Sequence, residues 1–263
     1  IIYIAGFLTR KKEEMRIFSQ GILIVAIVLA MFGGLLLMEP DFGSTVVIVA
    51  TVFGMMFLGG IRYFHFFMIL GIAVMGGVLL VTFAAYRMQR IVGFMDPWSD
   101  PFGSGYQLTQ SLMAYGRGDW FGQGLGNSLQ KLEFLPEAHT DFIVAILAEE
   151  LGFVGVLIVL TLVLVLVIKA LRIGNLALSR QRPFDGFLAY SIGIWFSFQT
   201  AINIGASAGI LPTKGLTLPL VSYGGSSLIV MMVATAILLR IDFEMRVEGV
   251  QALKGSKGKG KAS

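Results

Sequence analysis

LPEAHTDFIVAILAEELGFVGVLIVLTLVLVLVIKAL, residues 135–171, decides the fold class. It opens as a polar loop carrying Glu137, His139 and Asp141. From residue 142 it becomes an apolar run whose only charges are Glu149, Glu150 and Lys169. A membrane helix needs roughly 20 apolar residues, so 142–171 is long enough to span a bilayer and to tilt or protrude. The rest of the chain agrees. Of its 263 residues 56% are hydrophobic and 14% charged, against about 25% charged in a soluble domain.

Working outward, five further spans are predicted at 17–38, 44–59, 64–86, 187–210 and 220–240. The first covers about 33 Å as a helix, enough for a hydrocarbon core of about 30 Å. Residues 1–8 read as the last turns of another helix, so the chain is expected to be a fragment of a longer protein. The predicted fold is an all-α polytopic membrane bundle: six complete transmembrane helices, the end of a seventh, and one large extracytoplasmic loop at 87–141. Residues 1–253 form one transmembrane domain in this reading. The Lys/Gly-rich residues 254–263 are expected to be a disordered, basic, cytoplasmic tail.

Basic residues set the orientation. Placing 9–16, 60–63, 169–186 and the C-terminus on one side gathers there all Lys and Arg but Arg87, Arg90, Arg117, Lys131 and Lys214. By the positive-inside rule that side is cytoplasmic. The long loop, EPDFGS (39–44) and LPTKGLTLPLVSYGGSS (211–227) then face outward together. With 0 Cys, disulfides and thiolate chemistry are excluded, and 2 His are too few for a histidine-built metal site. The net charge of +4 lies in loops and tail, and no nucleic-acid partner is expected.

Each outward motif has a bland and a functional reading. GRGDWFGQGLGN (116–127) lacks the strand and helix of a nucleotide fingerprint. It reads as a tight loop at the membrane surface with Trp120 and Phe121 as interfacial anchors, or as the floor of a substrate groove. Arg87 and Arg90 share a helical face, either snorkelling or binding an anionic headgroup. Asp41 caps the next helix or faces a cation from elsewhere. Around Ser222, Tyr223, Gly224, Gly225 and Ser226 a helix restarts, and its free N–H groups would suit an anion. Thr140 or Asp141 suits the N-cap of the span at 142. Glu149 is expected about 12 Å deeper, and Glu150 on the opposite helix face from Asp141. Acids at that depth need partners, as a functional pair or as a structural knot between helices.

Residues 96–152 and 209–227, with EPDFGS and LLRIDFEMR (238–246), resemble the SEDS family of FtsW, RodA and SpoVE, and its cell-division branch more than its elongation branch. The resemblance runs to about residue 253, and the family's ten helices imply that the N-terminal ones lie outside this chain. It implies peptidoglycan glycosyltransfer, in which lipid II is polymerised outside the bacterial inner membrane at the division septum. The family's catalytic aspartate falls on Asp141, as base for the acceptor hydroxyl. Arg87, Arg90, Lys214 and the 222–226 helix start become candidates for stabilising the leaving pyrophosphate, with Glu137 and His139 orienting the acceptor. No cofactor is required by this reading; a divalent cation (Mg or Mn) would suit the pyrophosphate, although no compact ligand set is visible. Implied partners are lipid II, a class B penicillin-binding transpeptidase of the FtsI type, divisome activators of the FtsQ, FtsL, FtsB and FtsN type, and membrane lipids. Two other readings stand beside the enzyme. One is a lipid II flippase working through Glu149 and Glu150, the other a non-catalytic scaffold for the transpeptidase.

Overall fold

A computed structural model describes residues 1–11, 21–39, 41–83, 85–213 and 215–259. Among them there are helices and turns and no strand. The elements are α1 (Ile2–Arg10), α2 (Leu23–Met38), α3 (Phe42–Leu58), α4 (Tyr63–Thr82), α5 (Ala85–Met95), α6 (Tyr106–Gly118), α7 (Ile143–Ser179), α8 (Pro183–Ser207) and α9 (Gly225–Lys259), with a π-helical turn at Gln130–Phe134. Four are long and apolar enough to cross a bilayer: α4, α7, α8 and α9 as far as Gly249; α2 and α3 are shorter apolar helices. α9 continues to Lys259, into the tail expected from 254, and residues 260–263 lie outside the described residues.

The core is built around α8, which packs on α1, α3, α6, α7 and α9. Phe187, Ile192 and Phe196 of α8 are buried with Leu8, Val52, Met55 and Met245. α7 and α8 approach closely where Gly174 faces Gly186: a Cβ on Gly174 would lie 3.1 Å from the Gly186 carbonyl oxygen. Small residues let membrane helices meet backbone to backbone, where apolar burial alone gives no drive. At the turn beside this contact Arg182 joins three acids. Its guanidinium lies 2.8 Å from Asp185, 2.6 Å from Glu244 and 3.6 Å from Glu248, and Arg180 donates to the Met245 carbonyl. The α7–α8 turn is thereby tied to the far half of α9.

Two expectations are corrected. The third span stops at Thr82, so Arg87 and Arg90 sit on α5 rather than at that span's end, and the segment 87–141 contains most of α5 and all of α6. Amphipathic α6 buries Leu108, Thr109, Ser111 and Ala114, so it earns its place by packing rather than by overall hydropathy. The span expected at 142–171 is also not one helix. Gly152 has φ 69° and ψ −171°, which splits α7 into 143–151 and 153–179. That conformation is open to glycine and strongly disfavoured for other residues.

The loop 118–124 fills the break. Gln123 and Gly124 N–H donate to the carbonyls of Glu149 and Glu150 at 2.9 and 3.0 Å, and Phe153 and Val154 N–H donate to Asp119 and Trp120. The orphaned backbone groups on both sides of the break thus find partners, as buried peptide groups must. A Cβ on Gly118, Gly122 or Gly152 would fall 1.8–2.4 Å from a backbone oxygen of the opposing segment. Gly118 and Gly122 of GRGDWFGQGLGN are there for this contact.

Candidate active site

Three segments converge at one end of the bundle: the loop 135–142, the loop 208–224 and the start of α3. Ser222 Oγ donates to the Thr140 carbonyl at 2.6 Å and accepts from Leu218 N–H at 2.7 Å. Tyr223 N–H donates to the His139 carbonyl at 2.9 Å. Leu216 packs on Gly43, whose added Cβ would lie 3.1 Å away. The EPDFGS, PEAHTD and LPTKG motifs, spread from residue 39 to residue 215, therefore share one surface, as their common outward placement predicts.

Asp141 lies at the centre. Its Oδ2 would be 3.3 Å from a Cβ on Gly215, so the carboxylate rests against a residue with no side chain. Burial pushes its pKa up to about 6; the neighbouring Glu137 and, more weakly, Asp41 push the same way, and Arg90 pulls it down. A carboxylic acid in this range is matched to taking up a proton near neutral pH. The N-cap expectation is corrected: the cap position of α7 is Phe142, and no side chain caps it. The turn is closed by the backbone of Glu137, whose carbonyl accepts from the N–H groups of Thr140, Asp141 and Phe142 at 3.1–3.2 Å. Glu137 takes a left-handed φ of 54° to do so, a conformation that costs a non-glycine residue about 1–3 kcal/mol. Its carboxylate accepts from Thr140 Oγ1 at 2.7 Å.

The remaining candidates are sorted by the structure. Arg90 is half-buried on α5, beside a shallow cleft lined by Phe94, Ser104, Gln107 and Thr213. The His139 side chain is exposed, as are Tyr223, Gly225 and Ser226, with Gly224 half-buried at the entry to α9. Ser222 is buried and its hydroxyl is committed to Thr140 and Leu218, so it ties the loops together. Asp41 caps α3 through Ser44 N–H at 3.0 Å. Lys214 and the side chain of Arg87 lie outside the described residues.

Glu149 and Glu150 are not deep acids among apolar helices. Glu149, fully buried, accepts from Ser128 Oγ at 2.5 Å and from the N–H groups of Leu129 and Gln130 at 3.1 and 3.2 Å, with Arg117 3.5 Å away. Glu150 pairs with Lys131 at 2.5 Å. Both fasten the 117–131 segment to the short helix 143–151, the structural-knot alternative with a loop in place of a second helix. Trp120 meets Phe153 edge-on at 5.5 Å.

Sequence reasoning missed a stripe on α8. Gln199, Asn203 and Ser207, four residues apart, are buried. Gln199 donates to the Thr217 carbonyl, and Asn203 to the carbonyls of Asp141 and Leu216. Ser207 meets Tyr115 OH at 3.0 Å, and its carbonyl accepts from Ser111. Three polar residues at helical spacing within a predicted membrane span were the available signal.

The family of FtsW, RodA and SpoVE, described as cell cycle proteins, matches residues 1–247. This chain belongs to that family. A relative in Alteromonas naphthalenivorans, named "Probable peptidoglycan glycosyltransferase FtsW", is 64% identical over 99% of this chain and 52% of its own length. Among solved structures, a chain from "Structural coordination of polymerization and crosslinking by a peptidoglycan synthase complex" matches with TM-score 0.69 and 26% identity, covering 91% of this chain and 67% of that one. The rod shape determining protein RodA of Thermus thermophilus matches with TM-score 0.57 and 27% identity, over 90% and 63% of the two chains. The chain spans about half the length of the first of these curated relatives. Apolar helices and membership of the SEDS family together make it part of a multi-pass membrane protein.

Proposed function

We propose that the protein of which this chain is part is a peptidoglycan glycosyltransferase, polymerising lipid II into glycan strands during septal wall synthesis. Asp141 is its general base. The observation that carries the reading is the Asp141 carboxylate, lifted to about 6 and seated against Gly215 where three outward motifs meet. Names of relatives at up to 64% identity support the same activity.

In this mechanism the acceptor sugar hydroxyl gives its proton to Asp141 as its oxygen attacks the anomeric carbon of the donor. The new glycosidic C–O bond forms as the bond to undecaprenyl pyrophosphate breaks, with inversion at that carbon. Arg90, close enough to pull down the Asp141 pKa, would stabilise the growing negative charge on the leaving group. Arg87, Lys214 and the exposed start of α9 at Gly225 and Ser226 are further candidates for that charge. Glu137 and His139 orient the acceptor. A divalent cation (Mg or Mn) would suit the leaving pyrophosphate, although among the described residues no group of three or more His, Asp or Glu comes together to hold one.

The topology in this reading is six spans, α2, α3, α4, α7, α8 and α9, plus the end of a seventh in α1, with the C-terminus cytoplasmic. A class B transpeptidase, divisome activators and membrane lipids are the partners. The acids that favoured a flippase are engaged by the 128–131 segment, which weighs toward the enzyme.

The test compares full-length wild type and Asp141→Asn, each purified with its class B transpeptidase and given labelled lipid II, on a glycan-resolving gel. Polymer is expected from wild type alone. Polymer from both moves the base elsewhere, with Glu137 next; none from either, in an intact complex, turns the reading toward transport.

A further inference from the structure

We propose that Asn203 is the positioning residue for Asp141, holding the backbone that carries the carboxylate against the 215–217 segment. The inference rests on the reading of Asp141 as the base. Asn203 stands on α8, the most enclosed helix, and is 1% exposed. Its single Nδ2 donates two hydrogen bonds, to the Asp141 carbonyl at 2.9 Å and to the Leu216 carbonyl at 2.5 Å. One amide group therefore spans the two loops whose apposition creates the site. Both partners are carbonyls, which accept only, so the NH2 group must face them.

The other end of the amide makes the arrangement informative. Among the described residues the buried Asn203 Oδ1 has no hydrogen-bond partner. A buried, unsatisfied acceptor is destabilising, and each such group in a folded protein calls for a reason. A leucine of similar shape would fill the space without it. Asparagine stands there because its donors are needed, and what they hold is the Asp141 main chain, 3.3 Å from whose Oδ2 a Gly215 Cβ would fall. Gln199, one turn earlier, binds the same loop only, through Thr217. Among these α8 side chains Asn203 alone also reaches the aspartate. Among the described residues the charged groups that bear on Asp141 are Glu137 in its own loop, Arg90 on α5 and Asp41 at the start of α3. None of them lies on α8, so a change at Asn203 acts through position rather than charge.

The test uses full-length protein with its transpeptidase, lipid II as substrate, and Asn203→Leu beside Asp141→Asn. Released from its tie, the 141 main chain should let the carboxylate relax toward solvent. Expected are a fall in kcat of about tenfold to a hundredfold, as for a small misplacement of a reacting group, and a KM for lipid II within about twofold of wild type. The acidic limb of the pH–rate profile should also move from about 6 toward the ordinary carboxylate range. A rise in KM alone, or a lower kcat with the limb unmoved, would overturn the proposal, since general support of the fold gives either. If Asn203→Leu does not fold, Asn203→Ser, which keeps one donor, is read by the same measures. Polymer from Asp141→Asn brings down the base reading and this proposal with it. An inactive Asp141→Asn beside an Asn203→Leu that behaves as wild type brings down this proposal alone.

Discussion

Asp141 is held where its charged form is disfavoured, and that has a thermodynamic signature separate from catalysis. Its pKa in the fold is about 6, against about 3.9 for an unfolded aspartate. Between these values the folded state binds more protons than the unfolded one, so this group's contribution to stability is complete below about pH 3.9 and is lost as the pH rises through about 6. Asp141→Asn should therefore abolish polymer formation and yet raise stability at pH 7, by on the order of 1–2 kcal/mol after discounting for solvent screening of a half-exposed group. Thermal unfolding of the two proteins in detergent checks this: the variant's advantage at pH 7 should vanish near pH 4. Glu149 makes the opposite case. Glu149→Ala leaves two backbone N–H groups and the Ser128 hydroxyl without their acceptor. A loss of about 3–5 kcal/mol follows, as for a broken buried charge network, and protease cleavage should appear within 117–131.

At the scale of elements, the break at Gly152 is what the 118–124 loop is fitted to. An alanine there would need a φ of 69° and would press its Cβ to 2.4 Å from the Trp120 carbonyl oxygen. Gly152→Ala should destabilise by more than about 2 kcal/mol and detach 118–124 from α7, read by hydrogen exchange at Gln123 and Gly124. This break also marks where the sequence was legible and where it was not. An unbroken apolar run from 142 to 171 carries no periodicity that separates one helix from two, and glycines are common in membrane helices. What distinguishes Gly152 is the carbonyl of a loop some 30 residues earlier, and contact order of that kind leaves no local trace. α5 and α6 were missed for a related reason: their apolar faces are short and their overall composition is that of a loop.

Over the whole molecule, the helical membrane class and the common placement of the EPDFGS, PEAHTD and LPTKG motifs were legible in residues alone, whereas the role proposed for Asp141 came from the family resemblance. Apolar length and charge placement are one-dimensional properties. The α8 stripe was not found, because Gln199, Asn203 and Ser207 gain their meaning only from loops distant in sequence. At the opposite end, the Arg182 cluster ties the α7–α8 turn to α9 through Glu244 and Glu248. Arg182→Gln should cost about 1 kcal/mol, typical of partly exposed pairs, and speed hydrogen exchange in α9 beyond Arg240 while leaving the 135–142 loop unchanged.

The divided α7 bears on how the protein meets membranes of different thickness. A spanning helix answers hydrophobic mismatch chiefly by tilting, and a continuous rod would swing Asp141 with every change of angle. The break at Gly152 is clamped on both sides, since the 118–124 loop bonds residues 149 and 150 as well as 153 and 154; 143–151 and the turn that follows the break are thus held to one segment, and the rest of the helix is left to follow the bilayer. If the proposed polymerisation is assayed in vesicles of increasing acyl-chain length, it should accordingly vary little, the Asp141 end staying level while the far end of the helix leans.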